Sequence, residues 1–77
     1  MTDIVTVKTD KRNGRQGKMY KIWFDRLPDK EFGPYNFGMC KEQLAFCCDI
    51  PMTEARHIVM EASTKGAARY EYEVPSD

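Results

Sequence analysis

Asn13-Gly14, flanked on both sides by residues that alternate apolar and polar, constrains this chain more than any other feature. An Asn-Gly pair supplies the positive φ that a type I′ turn needs at both central positions, so it predicts a β-hairpin. With these two residues as the turn, paired positions sum to 27. That sets Val7 against Tyr20 and Val5 against Ile22, with Phe24 extending the row. The other face takes Thr6 with Lys21, Lys8 with Met19 and Ile4 with Trp23. One face is apolar and the other mixed, the pattern of a sheet packed on one side. Gly17 can add a bulge and shift the register locally.

The next segment, Arg26 to Gly38, is rich in Pro, Gly and aromatics. Pro28 and Pro34 interrupt helix and strand alike, which predicts an irregular loop, and loops of that length in small domains are often binding elements. Cys40, Leu44, Cys47 and Cys48 then fall on one helical stripe, giving a short helix from about Gly38 to Cys48. Asp49-Ile50-Pro51 interrupts it, and Pro51 suits the first position of a second helix reaching about Thr64. Ala55, Ile58, Val59 and Ala62 are its inner stripe, with Arg56, His57, Glu61 and Thr64 outside. Lys65-Gly66 closes it with a cation and a left-handed cap. Ala68 to Val74 alternates strictly, Ala68, Tyr70, Tyr72 and Val74 facing one way, until Pro75 stops the strand.

These elements predict one α+β domain over residues 1–77, a small two-layer sandwich of ββααβ order. It comprises a hairpin (1–25), an aromatic Gly/Pro loop (26–38), two helices (39–66) and a C-terminal strand (67–75). The expected sheet is three-stranded and antiparallel, with two short helices on one face. A core of this size supplies only about 3–5 kcal/mol of net stability, so nearly every apolar residue must work structurally.

Lys and Arg number 12, as do Asp and Glu, for a net charge of zero. That balance argues against a surface that grips nucleic acid everywhere. Residues 1–30 nevertheless carry +4 and residues 31–77 carry −4. No apolar run approaches the roughly 20 residues of a membrane span, and the start lacks the features of a signal peptide. Three cysteines, two of them adjacent, make no disulfide framework and fit reduced thiols, which predicts a cytoplasmic protein.

Leu44, Cys47-Cys48, Ala55, Ile58, Val59 and Gly66-Ala67 resemble, without a gap, the helix–turn–helix–strand of the bacterial Clp protease adaptor family. Glu54-Ala55-Arg56-His57-Ile58-Val59 is similar to the C-terminal domain of the ribosomal stalk protein, and Tyr20-Lys21-Ile22-Trp23-Phe24 to the adaptor's first strand. The resemblance spans about 30 residues, mostly apolar core positions. It implies a related α+β fold and protein–protein recognition without catalysis. Asp25-Arg26 stands where the family has Asn-Asp-Asp, and Ser63 where it has a pocket histidine.

Lys8, Lys11, Arg12, Arg15 and Lys18 cluster around the turn, with Arg12 opposite Arg15. Like charges across strands are destabilising unless an anionic partner answers them, although a solvated turn is the plainer account, with Lys8 and Lys21 answered by Glu71 and Glu73. Trp23, Ile4 and Met19 place apolar surface away from the core, where Trp and Met suit an interface. The 26–38 loop could instead cover Trp23, because Phe32, Tyr35 and Phe37 also need somewhere to pack. Cys40, Cys47, Cys48 and His57 match no zinc-knuckle spacing and read better as core residues and an outward histidine. Ser63 and Ser76 lack a triad, Glu71 and Glu73 read as an exposed strand face, and no glycine motif opens a helix to cradle phosphate.

The sequence therefore predicts a non-catalytic module without cofactor, metal or small-molecule substrate. A protein partner, as for an adaptor, inhibitor or regulator of a larger assembly, is favoured. Lys11, Arg12, Arg15, Lys18, Trp23, Phe32, Tyr35 and Phe37 would be its contact residues. The alternative is a nucleic-acid-binding protein, with the hairpin tip on phosphates and Tyr20, Trp23 or Tyr35 stacking on bases. Small domains of this kind are common in phages and mobile elements, which fits such an origin.

Overall fold

A computed structural model describes residues 1–10 and 18–75. Its element order is β1 (Thr2–Asp10), β2 (Met19–Phe24), β3 (Leu27–Tyr35), α1 (Phe37–Cys48), α2 (Met52–Lys65) and β4 (Ala67–Glu73). The four strands form one antiparallel sheet in the order β3-β2-β1-β4, and it does not close. The α+β class, the antiparallel sheet and the two helices agree with the sequence. The strand count does not, because the 26–38 segment is mostly β3 rather than a loop.

The position of β3 in the sheet accommodates both prolines. A strand at the sheet edge pairs on one side only, so Pro28 and Pro34 need not interrupt a ladder. β3 follows β2 through Asp25-Arg26, a two-residue connection without the glycine that marks most such turns. Its pairing is irregular, Phe24 with Leu27, Ile22 with Phe32 and Tyr20 with Tyr35, with register shifts between them. Gly33 sits at the second shift with φ of 116°. A Cβ there would lie 2.8 Å from the Tyr20 carbonyl oxygen, so only glycine fits.

β1 and β2 pair with positions summing to 29, two residues away from the expected register. Val7 faces Ile22, Thr6 faces Trp23 and Lys8 faces Lys21. A slip of two keeps every side chain on its own face, because strand periodicity is two. Val5, Val7, Tyr20, Ile22 and Phe24 are accordingly all buried, as the alternation requires. The Asn13-Gly14 turn itself lies outside the described residues.

Asn36 starts α1 by accepting the Met39 N–H at 2.8 Å, a side-chain N-cap that moves the helix start to Phe37. Pro51 caps α2 rather than opening it, and its carbonyl accepts from Glu54 and Ala55. Gly66, at φ of 91°, returns its N–H to Ala62 and ends α2 as expected. Both helices pack on one face of the sheet, α1 over β2 and β3, α2 over β1 and β4. Between the layers lie Cys40, Leu44, Cys48, Ala55, Ile58, Val59 and Ala62, facing Val5, Val7, Ile22, Ala68 and Tyr72.

Candidate functional site

With both helices on one side, no described element forms a layer on the other face of the sheet. Strand alternation sends Ile4, Thr6, Lys8, Asp10, Met19, Lys21, Trp23, Arg69, Glu71 and Glu73 to it. Ile4, Thr6, Met19 and Trp23 are only half-buried there. Trp23 holds the middle of the sheet, in a cross-strand row with Thr6 and Arg69. It is not covered by residues 26–38, because the apolar side chains of β3 and of Phe37 turn to the core.

Charges frame this apolar centre. Lys8 and Lys21 stand directly opposite one another, an arrangement that destabilises a sheet unless the charges are answered. Lys21 is answered by Glu31 at 2.7 Å and Asp10 at 3.8 Å, not by Glu71 or Glu73. Glu73 instead pairs with the terminal amine at 2.8 Å. Lys8 has no carboxylate partner among the described residues, and its ammonium lies 5.6 Å from the centre of the Trp23 ring. A cation over an exposed indole contributes about 0.5–1 kcal/mol and more when a partner desolvates it. Arg69 reaches Asp25 at 3.7 Å, with both side chains exposed.

Of the remaining sequence-derived residues, those described are dispersed. Lys11, Arg12 and Arg15, including the proposed Arg12–Arg15 opposition, lie outside the described residues. Lys18 donates to the Ser63 carbonyl and hydroxyl, tying the start of β2 to the last turn of α2, where a cation is favourable. Phe32, Tyr35 and Phe37 are half-buried against the core, Phe32 edge-on to Phe24 and Phe37 edge-on to Tyr20. The structure thus separates them from Trp23, to the other side of the sheet. Tyr20 is 2 % exposed beneath the helices and cannot stack on a base.

Potential catalytic groups do not converge among the described residues. Cys40 and Cys48 lie in the core, and burial pushes both thiols up to about 12, which leaves them protonated and unreactive at neutral pH. Cys47 is half-buried with its thiol also raised by burial. His57 is exposed on α2, away from the cysteine stripe. No group of three His, Cys, Asp or Glu among the described residues could hold a metal ion. No described helix is long and apolar enough to cross a membrane.

Two surfaces escaped the sequence reading. Phe46 is 84 % exposed on α1, opposite the stripe of Cys40, Leu44 and Cys48. An aromatic two residues from Leu44 and from Cys48 must fall off their stripe at 100° per residue, so the signal was present. The second is an open cleft of about 430 Å³ between the α1–α2 turn and the end of β4, lined by Cys48, Ile50, Tyr70, Tyr72 and Val74 among others. Comparison of the chain with protein-family models, curated proteins and solved structures returns no match.

Proposed function

We propose that this chain is a non-catalytic protein-binding module whose docking surface is the open face of its sheet, centred on Trp23. The observation that carries the reading is the half-buried Trp23 on the helix-free face, with the Lys8 ammonium over its ring. Trp supplies most binding energy when a partner buries it, and surrounding charges steer association and set register. Ile4, Thr6 and Met19 extend the apolar centre, while Lys8, Lys21, Arg69 and Glu71 form a rim of both signs. The resemblance of Leu44 to Ala67 to the Clp adaptor family points the same way, towards recognition of proteins. A role as adaptor, inhibitor or regulator of a larger assembly follows from this reading, and the basic residues 11, 12 and 15 would extend its contact.

Affinity capture from host extract with the wild type, Trp23→Ala and Lys8→Ala tests it. A protein retained by the wild type and lost by more than about tenfold with Trp23→Ala is expected, the loss typical of a buried interface tryptophan. Salt-titrated binding to DNA and RNA is the control. Steeply salt-dependent nucleic-acid binding that vanishes in an Arg12→Ala/Arg15→Ala variant would replace the protein partner with the alternative reading.

A further inference from the structure

The two edges of the sheet differ in kind. β3 is a blunted edge: Pro28 and Pro34 lack N–H groups, its register shifts twice, and Asp29-Lys30-Glu31 puts charges along it. Such devices keep an edge from pairing with another chain. β4 carries charges too, at Arg69, Glu71 and Glu73, but lacks the other two devices. Its seven residues contain no proline, and its register against β1 runs without a break from Ala67 to Glu73.

The ladder fixes which backbone groups β4 leaves free. Thr9 donates to the Gly66 carbonyl at 3.1 Å and Val74 to the Met1 carbonyl at 2.8 Å. Hydrogen bonding alternates along an antiparallel pair, so Ala68, Tyr70 and Tyr72 turn their N–H and C=O groups to β1. Those of Ala67, Arg69, Glu71 and Glu73 therefore point outward, and no described strand pairs with them. The side chains at these four positions are all exposed.

We infer that the free edge of β4 pairs with β4 of a second copy of this chain, joining two sheets antiparallel across a two-fold axis at Tyr70. In that register Arg69 of each copy lies opposite Glu71 of the other, and Ala67 opposite Glu73. Symmetry gives two Arg–Glu pairs and no like-charge pair, so the edge is complementary to itself. A register shifted to set Arg69 against Glu73 would instead place Glu71 against its own copy. Glu71 has no ionic partner among the described residues, and Arg69 holds only the long, exposed contact to Asp25. An exposed pair of that kind contributes at most about 1 kcal/mol, so Arg69 is released at little cost.

The Tyr70 hydroxyl donates to Glu54, which marks the side of α2 lying toward the edge. Glu61 and Lys65 share that stripe with Glu54 and pair with each other at 3.5 Å within the chain. Gly66 of the second copy lies opposite Val74, and the last turn of its α2 arrives beside the cleft at Ile50 and Val74. Nothing in this edge depends on what Trp23 binds, and dimerisation leaves the open face uncovered.

Sedimentation velocity on the full chain from micromolar to millimolar concentration tests the pairing. A concentration-dependent dimer is expected. Arg69→Glu and Glu71→Arg each set like charges opposite twice and raise the dissociation constant by about tenfold or more. Mixing these two variants restores the dimer, because both acids of the first then lie opposite both arginines of the second. Glu71→Pro removes an outward N–H without touching the β1 ladder, and it abolishes association while circular dichroism stays unchanged. A wild type that is monomeric at millimolar concentration overturns the inference, as does a dimer indifferent to all three substitutions. If Glu71→Pro fails to fold, the charge variants and their mixture still decide.

Discussion

Asp3 enters the core because three groups receive it there. Its Oδ2 accepts from the Arg26 backbone N–H at 3.3 Å and the Tyr72 hydroxyl at 3.3 Å, and lies 3.5 Å from Arg26 Nε. A buried carboxylate without such partners would be strongly destabilising. Asp3 thereby links β1 to the β2–β3 connection and to β4, which explains a charged residue among apolar neighbours better than any catalytic role. Asp25-Arg26, prominent in the sequence only as a departure from the adaptor pattern, acts here through Arg26 as a structural tie. Nothing in one-dimensional spacing announces that contact, since its members lie 23 and 46–69 positions apart. The thiols, by contrast, were legible from their helical stripe. Their consequence is a pH dependence of stability. Burial raises Cys40 and Cys48 from 9.0 to about 12, so above pH 9 the unfolded chain releases protons that the folded chain retains. The stability these thiols contribute is fully present below pH 9 and is lost as pH rises towards 12. Tyr70, raised to about 12 first by its hydrogen bond to Glu54, adds a loss of the same sign above pH 10. Urea unfolding at pH 8 and pH 10.5 checks the sign, and Cys48→Ala should flatten the slope between them.

At the level of elements, the helices and β4 were legible because each carries a long periodic pattern and a closing signal. α1 begins one residue before the start its apolar stripe predicts, because Asn36 caps it from within the Gly/Pro-rich segment. Face assignment in the hairpin survived a two-residue change of register for the same reason that alternation is informative at all: it fixes parity, not pairing. β3 was illegible. Its apolar residues, Leu27, Phe32 and Tyr35, do not alternate, because the two shifts against β2 break the period. Gly33 is the hinge of that irregularity. Gly33→Ala must place a Cβ 2.8 Å from the Tyr20 carbonyl at a φ of 116°, and backbone on both sides leaves little room to yield. The expected penalty is about 2–3 kcal/mol, from strain plus displacement of β3 from β2. Thermal unfolding followed by circular dichroism measures it. A change of only a few tenths of a kcal/mol would mean that β3 is loosely held and easily displaced.

At the scale of the whole molecule, a single sheet with both helices on one side divides apolar residues into two populations with different physical roles. Leu44, fully buried between the layers, belongs to the first. Leu44→Ala removes about 2–5 kcal/mol, comparable to the entire net stability expected of a core this small, so the variant should be largely unfolded at room temperature. Trp23 belongs to the second. It meets Thr6 across the strand and Lys8 over its ring, but neither described helix covers it. Cross-strand pairs of this kind contribute roughly 0.2–1 kcal/mol, so Trp23→Ala should leave the fold intact, with a far smaller loss than Leu44→Ala. Parity in the sequence already placed Trp23 apart from the core, whereas it could not show that Phe32, Tyr35 and Phe37 would pack on the other side. Urea titrations of both variants, followed by far-ultraviolet circular dichroism because Trp23 is the sole tryptophan, separate the two populations. Equal destabilisation would make Trp23 a structural residue and remove the basis for the open face as a docking surface. A well-folded Trp23→Ala protein that no longer retains its partner would assign the largest side chain of that face to recognition.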